Sequence, residues 1–518
     1  MDLLSALTYS PVELSFGTSG LRGLIEDMTD LECYINTTGF LKYLTSQGFN
    51  GREILIAGDL RDSTPRIKYA VAKAVHDANY TPVDCGFIPT PALAYAAQEA
   101  NTACIMVTGS HIPADRNGIK FYRHDGEVLK ADEAGIKAAV ADIRRELYAL
   151  EEAKSQFSTD GSFKTTSTPE SFTTRDISAQ YLDRFTQALS TSTLEGKTVV
   201  VYQHSAVGRD LLVALLQSLG AIVITEGRSD EFVPIDTENV TAADQAYFTS
   251  LAQKYPHAFA IVSTDGDSDR PFVIDENGLF HRGDELGAVV ATALEADFSA
   301  YPISSSDALD TYFAQLARQY VHTKIGSPHV IVAMKSAADD GFKKIVGWEV
   351  NGGFLTYNDI SYGDGTLRAL PTRDAFLPIC ITLAHAANNN SSVSKLFTAL
   401  PPRATQAGLI DNFPQDISQS IISHLSGPED VAKGFATKFF TNELGFGAIE
   451  KINSLDGIRL YFSNGDIAHI RPSGNAPQLR IYGVANNQAR ADEIVSLALA
   501  EPHGIYRQME AALNQDLA

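Results

Sequence analysis

Cysteine is scarce in this chain: four in 518 residues, Cys33, Cys85, Cys104 and Cys380, with no C-x-x-C pair among them. That spacing argues against a zinc ribbon or a dithiol redox motif, and sparse, unpaired cysteine suits a reducing cytosol. Cys104 falls inside an apolar run and is expected in a core. No apolar stretch reaches 18 residues, so no transmembrane helix is expected. The start, "MDLLSALTYSPVELSFG", lacks a basic n-region and a long apolar h-region, so no signal peptide is expected. Positive charge is short: 41 Lys and Arg against 63 Asp and Glu, a formal net charge of −22. Such a balance disfavours nucleic acid and anionic membranes as partners. The glycine-rich stretch "SFGTSGLRG" (15–23) lacks both the Lys-Ser/Thr ending of a P-loop and a G-x-G-x-x-G pattern, so nucleotide binding has little support. Any anionic ligand must therefore be met by a few clustered Arg and Lys.

What is present is globular, with 44% hydrophobic and 20% charged residues. At roughly 100–200 residues per domain, the length implies three to five domains. Strand-like and helix-like runs alternate. "EILIAG" (53–58) is followed by "PRIKYAVAKAVHDA", whose apolar residues Ile67, Ala70, Val71, Ala74, Val75 and Ala78 recur at helical spacing, with Pro65 at the helix start. "KTVVVYQHSAVGRDLLVALLQSLGAIVITEG" reads strand, loop, helix, strand. "HAFAIVSTDGDSDRPFVIDENG" reads strand, charged loop, strand. A third, weaker copy runs from "DALDTYFAQLARQY" through "HVIVAM". The pattern predicts α/β domains with largely parallel sheets. The tail, "GIRLYFSNGDIAHIRPSGNAPQLRIYGVA", reads as a strand meander with an "NG" turn and a helix after it, hence a smaller C-terminal α+β domain. The polar segment 151–176 reads as an exposed loop.

Five loops could carry chemistry. In "TGSHIPADRNGIK" (108–120), Ser110 leaves an apolar strand beside His111, with Lys120 further on; a serine nucleophile needs such a base, though a polar helix-capping turn reads the same way. In "DGDSDR" (265–270), Asp265, Asp267 and Asp269 alternate. In an extended loop their side chains would point the same way, and three converging carboxylates call for a hard cation such as Mg²⁺ or Ca²⁺; a solvated acidic turn is the plain alternative. "GWEVNGGF" (347–354) offers Glu349, Asn351 and Gly352 to a hydroxyl-rich ligand, or is simply a tight turn. "RPSGNAPQLR" (471–480) brings Arg471, Ser473, Gly474, Asn475 and Arg480 together as a phosphate grip, or makes a hairpin. Arg22, in the glycine-rich stretch, could approach an anion.

Taken in order, "FGTSGLRG", "TGSHIPADRNGIK", "DGDSDR", "EVNGG" and "RPSGNAP", with "YGDG" (362–365) and "TRDAFLP" (372–378), resemble the α-D-phosphohexomutase family over almost the whole chain. The resemblance implies three repeated α/β domains and a smaller C-terminal domain around a central cleft, divided here as 1–190, 191–298, 299–412 and 413–518. It implies that Ser110 carries a phosphoryl group, and that Asp265, Asp267 and Asp269 hold Mg²⁺ with that phosphate as a further ligand. Arg22, Lys120 and Arg270 would offset the charge, with Lys120 the first choice as base and His111 the second. Glu349, Asn351 and Gly352 would meet the sugar; Arg471, Ser473, Gly474, Asn475 and Arg480 would meet its phosphate. The implied reaction interconverts hexose 6-phosphate and hexose 1-phosphate through a hexose 1,6-bisphosphate in the cytoplasm. Ser268, Asn351, Phe354 and "SGNAP" depart from commoner family residues; "NGGF" with "SGNAP" points to phosphomannomutase, with phosphoglucomutase or a silent phosphosugar-binding homologue as alternatives.

Overall fold

The computed structural model describes residues 1–17, 20–165, 172–473 and 477–516. The chain divides into two compact units, one of residues 1–300 and 326–397, the other of 301–325 and 398–518.

In the first unit, Glu53–Gly58 lies inside a large mixed sheet and is buried along almost its whole length, as expected of a parallel strand covered on both faces. It pairs in parallel with Thr81–Phe87 and Ala103–Val107. Beyond Ala103–Val107 the sheet turns antiparallel, through Arg116–Arg123 and then Gly20–Leu24. Ile54, Ile56, Ile105, Val107, Ile119 and Phe121 share one core with the apolar faces of helices Asp30–Ser46, Thr64–Asp77 and Glu133–Tyr148. Helix Thr90–Glu99 packs against Glu53–Gly58 and Ala103–Val107. A second sheet runs Ile222–Glu226, Thr198–Tyr202, Ala260–Thr264, Pro271–Ile274 and Phe280–His281. Its first three strands are parallel and its last two antiparallel. In the third, Phe298–Pro302 pairs in parallel with Ile345–Trp348, and the antiparallel strands Phe354–Thr356 and Leu370–Asp374 follow.

The second unit is built on an antiparallel sheet ordered Ala404–Asp411, Gln478–Ala485, Ile467–Pro472, Ile458–Phe462 and Ile449–Asn453, with helix Gln488–Leu499 after it. The "NG" turn sits between the strands ending at Phe462 and starting at Ile467.

Three expectations change. "HVIVAM" lies within helix Ser327–Asp339, because an apolar run of six fits a buried helix turn as well as a strand. The segment 151–165 is anchored by Phe157 and Phe163, both buried against Tyr34. The boundary drawn after 412 cuts off Ala404–Asp411, which pairs along its full length with Gln478–Ala485 and so belongs to the C-terminal sheet. All four cysteines are buried and free. Among the described residues no helix is long and apolar enough to cross a membrane.

Candidate active site

Ser110 is set by its strand and by the loop that follows. Ala103–Val107 is fully buried, and three residues later Ser110 adopts φ 56°, a left-handed conformation rare outside glycine. Polar side chains hold it there. Thr108 Oγ1 accepts the Ser110 N–H at 2.8 Å and donates to Asp59 Oδ2 at 2.7 Å. Arg61, two residues after Asp59, donates from its guanidinium to the carbonyls of Ser110 (3.1 Å), Ile112 (2.6 Å), Pro113 (2.7 Å) and Arg116 (2.9 Å). Asp59 and Arg61 are buried and bonded to each other at 3.3 Å. Sequence reasoning passed over both; "GDLRD", an Asp and an Arg two apart at the end of a parallel strand, was the available signal.

The aspartates converge, but not through an extended loop. Residues 265–270 make a tight turn between two antiparallel strands: Asp265 N–H donates to Arg270 O at 3.0 Å and Ser268 N–H to Asp265 O at 3.2 Å. Ser268 has φ 59°, a left-handed conformation that glycine adopts most readily; its hydroxyl accepts the Gly208 N–H at 3.1 Å. One oxygen from each of Asp265, Asp267 and Asp269 lies within 4.8 Å of the others, and all three residues are buried. Ser110 Oγ donates to Asp265 Oδ2 at 2.6 Å, so the serine and the acidic turn share one site.

Cations surround this turn. Lys120 Nζ donates to Asp267 Oδ2 (2.6 Å) and Asp269 Oδ2 (2.7 Å). Arg373 donates to Asp269 Oδ2 (3.1 Å) and to Glu349 Oε2 (2.7 Å), joining the acidic turn to the 349–353 loop. Arg270 Nε lies 3.7 Å from Asp269 Oδ1. Register places Arg22 on the same sheet face as Lys120, since Gly20 pairs with Lys120 and Arg22 with Gly118. Arg22 reaches solvent yet is crowded by protein; that dehydration, then Arg270 and Arg373, lowers its pKa to about 10, so it stays charged at neutral pH.

The acids divide. Burial, then Asp267 and Asp269, raises Asp265 well above the ordinary carboxylate range. Burial also opposes charge on Asp269, but Arg373, Lys120 and Arg270 overcome it and hold that carboxyl well below its usual value. Asp267 Oδ1 and Asp269 Oδ1 are buried with no hydrogen-bond partner among the described residues. Two orphaned carboxylate oxygens beside the Asp265 carboxylate form an all-oxygen set compatible with a hard metal ion. Thr90, also missed from sequence, donates its hydroxyl to Asp267 Oδ2.

Lys120 is buried; desolvation opposes its charge, but Asp267 and Asp269 outweigh this and keep it an ammonium. His111 Nδ1 stands 3.3 Å from Ser110 Oγ, and burial, then Arg270 and Arg22, holds the imidazole neutral.

The 349–353 loop is a turn closed by Gly352 N–H to Glu349 O at 2.9 Å, with Gly352 at φ 86°. Asn351 is buried: its Oδ1 accepts Gly353 N–H at 3.0 Å and its amide donates to Glu238 at 3.2 Å.

In the second unit, Arg471 and Arg480 face one another across paired strands. Arg471 Nε donates to Asp456 at 3.1 Å, whereas Arg480 Nε is buried without a partner among the described residues. Two guanidiniums set side by side suit an anion. Ser473 N–H closes the turn to Gln478 O at 2.9 Å; Gly474 and Asn475 lie outside the described residues.

Three family models match the chain: the phosphoglucomutase/phosphomannomutase α/β/α domains I, II and III, over residues 13–146, 179–278 and 282–404. A phosphomannomutase of Sinorhizobium fredii is 38% identical over 94% of this chain and 98% of its own length. One from Salmonella muenchen is 38% identical over 94% and 95%. The crystal structure of a phosphoglucomutase/phosphomannomutase family protein from Burkholderia thailandensis superposes with a TM-score of 0.71 at 19% identity, covering 98% of each chain.

Proposed function

The chain belongs to the phosphoglucomutase/phosphomannomutase family, the α-D-phosphohexomutases, and we propose on that premise that it interconverts hexose 6-phosphate and hexose 1-phosphate, with mannose the preferred hexose. Phosphoglucomutase activity is the second reading within the same chemistry. One observation carries the proposal: the Ser110 hydroxyl donates to Asp265 at 2.6 Å, within an aspartate trio that has basic groups around it and, among the described residues, two orphaned carboxylate oxygens.

Ser110 serves as the phosphoryl carrier. The free hydroxyl of a hexose phosphate attacks the phosphoryl group on Ser110 Oγ; the new P–O bond forms to the sugar as the bond to the serine breaks. The product is a hexose 1,6-bisphosphate. The sugar then turns over and returns its other phosphate to Ser110. Phosphoryl transfer depends mainly on positioning and charge stabilisation, and a phosphoserine carries about −1.5 to −2 charges at neutral pH. Arg22, Lys120, Arg270 and Arg373 supply the offsetting charge. With Lys120 engaged by two carboxylates, His111 is better disposed to hold the attacking hydroxyl's proton and pass it to Ser110 Oγ. Asp265, Asp267 and Asp269 would hold Mg²⁺, chosen for their all-oxygen donors. When bound, Mg²⁺ adds Lewis-acid stabilisation of charge on the phosphoryl oxygens.

Glu349, Asn351 and Gly352 would meet the sugar, and Arg471, Ser473, Gly474, Asn475 and Arg480 its non-transferring phosphate. Partners are hexose phosphates and the bisphosphate, with neither nucleic acid nor membrane involved, and the cytoplasm is the assigned compartment. A four-domain division belongs to the same proposal, its last boundary moved to precede Ala404. Ser110→Ala tests the reading: conversion of mannose 1-phosphate, with glucose and glucosamine 1-phosphates compared, should vanish while phosphosugar binding survives. Full activity in that variant would reject the carrier role.

A further inference from the structure

We propose that residues 229–238 form a brace setting the serine loop and the 349–353 loop in register, with Phe232 seated on Arg61 and Thr237 and Glu238 holding Asn351. The inference deepens the reading above and rests on it for what each loop binds.

The segment has neither helix nor strand, yet it is tied down along its length. Ser229 N–H donates to His204 O at 3.1 Å, and Arg209 donates to the carbonyls of His204 (2.6 Å) and Ser229 (2.5 Å). Val233 N–H donates to Ser205 Oγ at 2.7 Å. The Phe232 ring centroid lies 3.8 Å from the Arg61 guanidinium carbon, a close cation–π contact on the side chain that gathers the serine-loop carbonyls. The same ring covers Gly266, where an added Cβ would come within 3.0 Å of Phe232 and 2.6 Å of the Ser110 carbonyl oxygen. Phe232 therefore touches the serine loop's clamp and the acidic turn at once.

At the other end, Thr237 Oγ1, buried, donates to Asn351 O at 2.9 Å, and Glu238 Oε1 accepts from the Asn351 amide at 3.2 Å. Two bonds thus fix the residue at the centre of the 349–353 loop. Between the two ends the chain reads Val233-Pro234-Ile235-Asp236. Pro234 fixes its own φ and only four residues separate the two ends, so the link is short and partly stiffened. A displacement of one loop should reach the other, and a shift of about 1 Å near reacting groups can cost roughly 100-fold in rate.

The test uses the full-length protein with Phe232→Ala, the milder Phe232→Leu, and Thr237→Val combined with Glu238→Ala. Amide hydrogen exchange is read first, because it needs no turnover. Each variant should speed exchange roughly tenfold or more at 110–116 and also at 349–353, although Phe232 is seated at the first loop and Thr237 and Glu238 at the second. Faster exchange only at the loop each residue contacts would overturn the brace. Turnover of mannose 1-phosphate is read second, as a double-mutant cycle between Phe232→Leu and Glu238→Ala. The losses should deviate from multiplicative by more than about twofold; independence within that range counts against the coupling. Glu238→Gln, which keeps an acceptor for Asn351, should restore most of the loss. A wild-type protein without mutase turnover would defeat the functional reading, while exchange would still decide the brace.

Discussion

Replacing Arg61 with methionine tests the polar clamp that holds the candidate nucleophile. Arg61 is 2% exposed, and its partner Asp59 is fully buried. The substitution removes the ion pair and four bonds to carbonyls of the serine loop. Asp59 keeps the Thr64 and Thr108 hydroxyls, each at 2.7 Å, and the Arg61 backbone N–H at 3.2 Å. Breaking a buried ion pair by removing one partner costs about 3–5 kcal/mol. Burial already raises Asp59 above the ordinary carboxylate range despite Arg61, so taking up a proton limits the penalty to the lower end, about 3 kcal/mol. Trp348, the single tryptophan, is buried in the first unit and reports the unfolding of that unit. With a urea slope of about 3 kcal/mol per molar, the midpoint should fall by roughly 1 M. Asp59→Asn added to Arg61→Met should recover part of that fall, because the uncompensated charge is gone. A shift below about 0.3 M, or a double variant weaker than the single one, would refute the reasoning.

Asp267→Asn should lower magnesium-dependent turnover by more than the roughly 100-fold that loss of an outer-sphere partner costs; unchanged magnesium dependence, measured by titration, would remove it from the metal set. Arg480→Ala should raise KM roughly tenfold or more with little change in kcat, the pattern of lost uniform binding; steady-state kinetics decide it. Gly352→Ala places a Cβ 2.9 Å from the Pro271 ring at φ 86° and should cost about 1–2 kcal/mol, read from the same Trp348 urea curves. His204 has an acid-side consequence: burial, with Arg209 adding to it, lowers its pKa to about 4, and its Nε2 bonds Thr264 O at 2.7 Å. The unfolded chain takes up this proton near pH 6.5, so stability is full above that pH and falls by about 3 kcal/mol on descent to pH 4. His204→Gln should flatten that portion of the pH profile in urea titrations of the first unit.

Local periodicity settled the elements. Strand 53–58, helix 64–77, the parallel strand before Ser110 and the antiparallel tail all carry their signal within a dozen residues, because burial on one or two faces imposes period 3.6 or 2. "HVIVAM" failed for the same reason: six apolar residues do not choose between the two periods. Ser110, the aspartate trio, Arg22 and Arg270 could be read from short motifs, whereas Arg61 and Arg373 could not. What tertiary structure alone decided is which distant groups meet. Asp59 and Arg61 clamp a loop some fifty residues away, and Arg373 reaches Asp269 across 104 residues of chain while also holding Glu349. A tight turn at Ser268, rather than alternation along an extended loop, gathers the carboxylates. Pattern reasoning sees only neighbours in sequence, whereas charge neutralisation in a buried site is settled between neighbours in space.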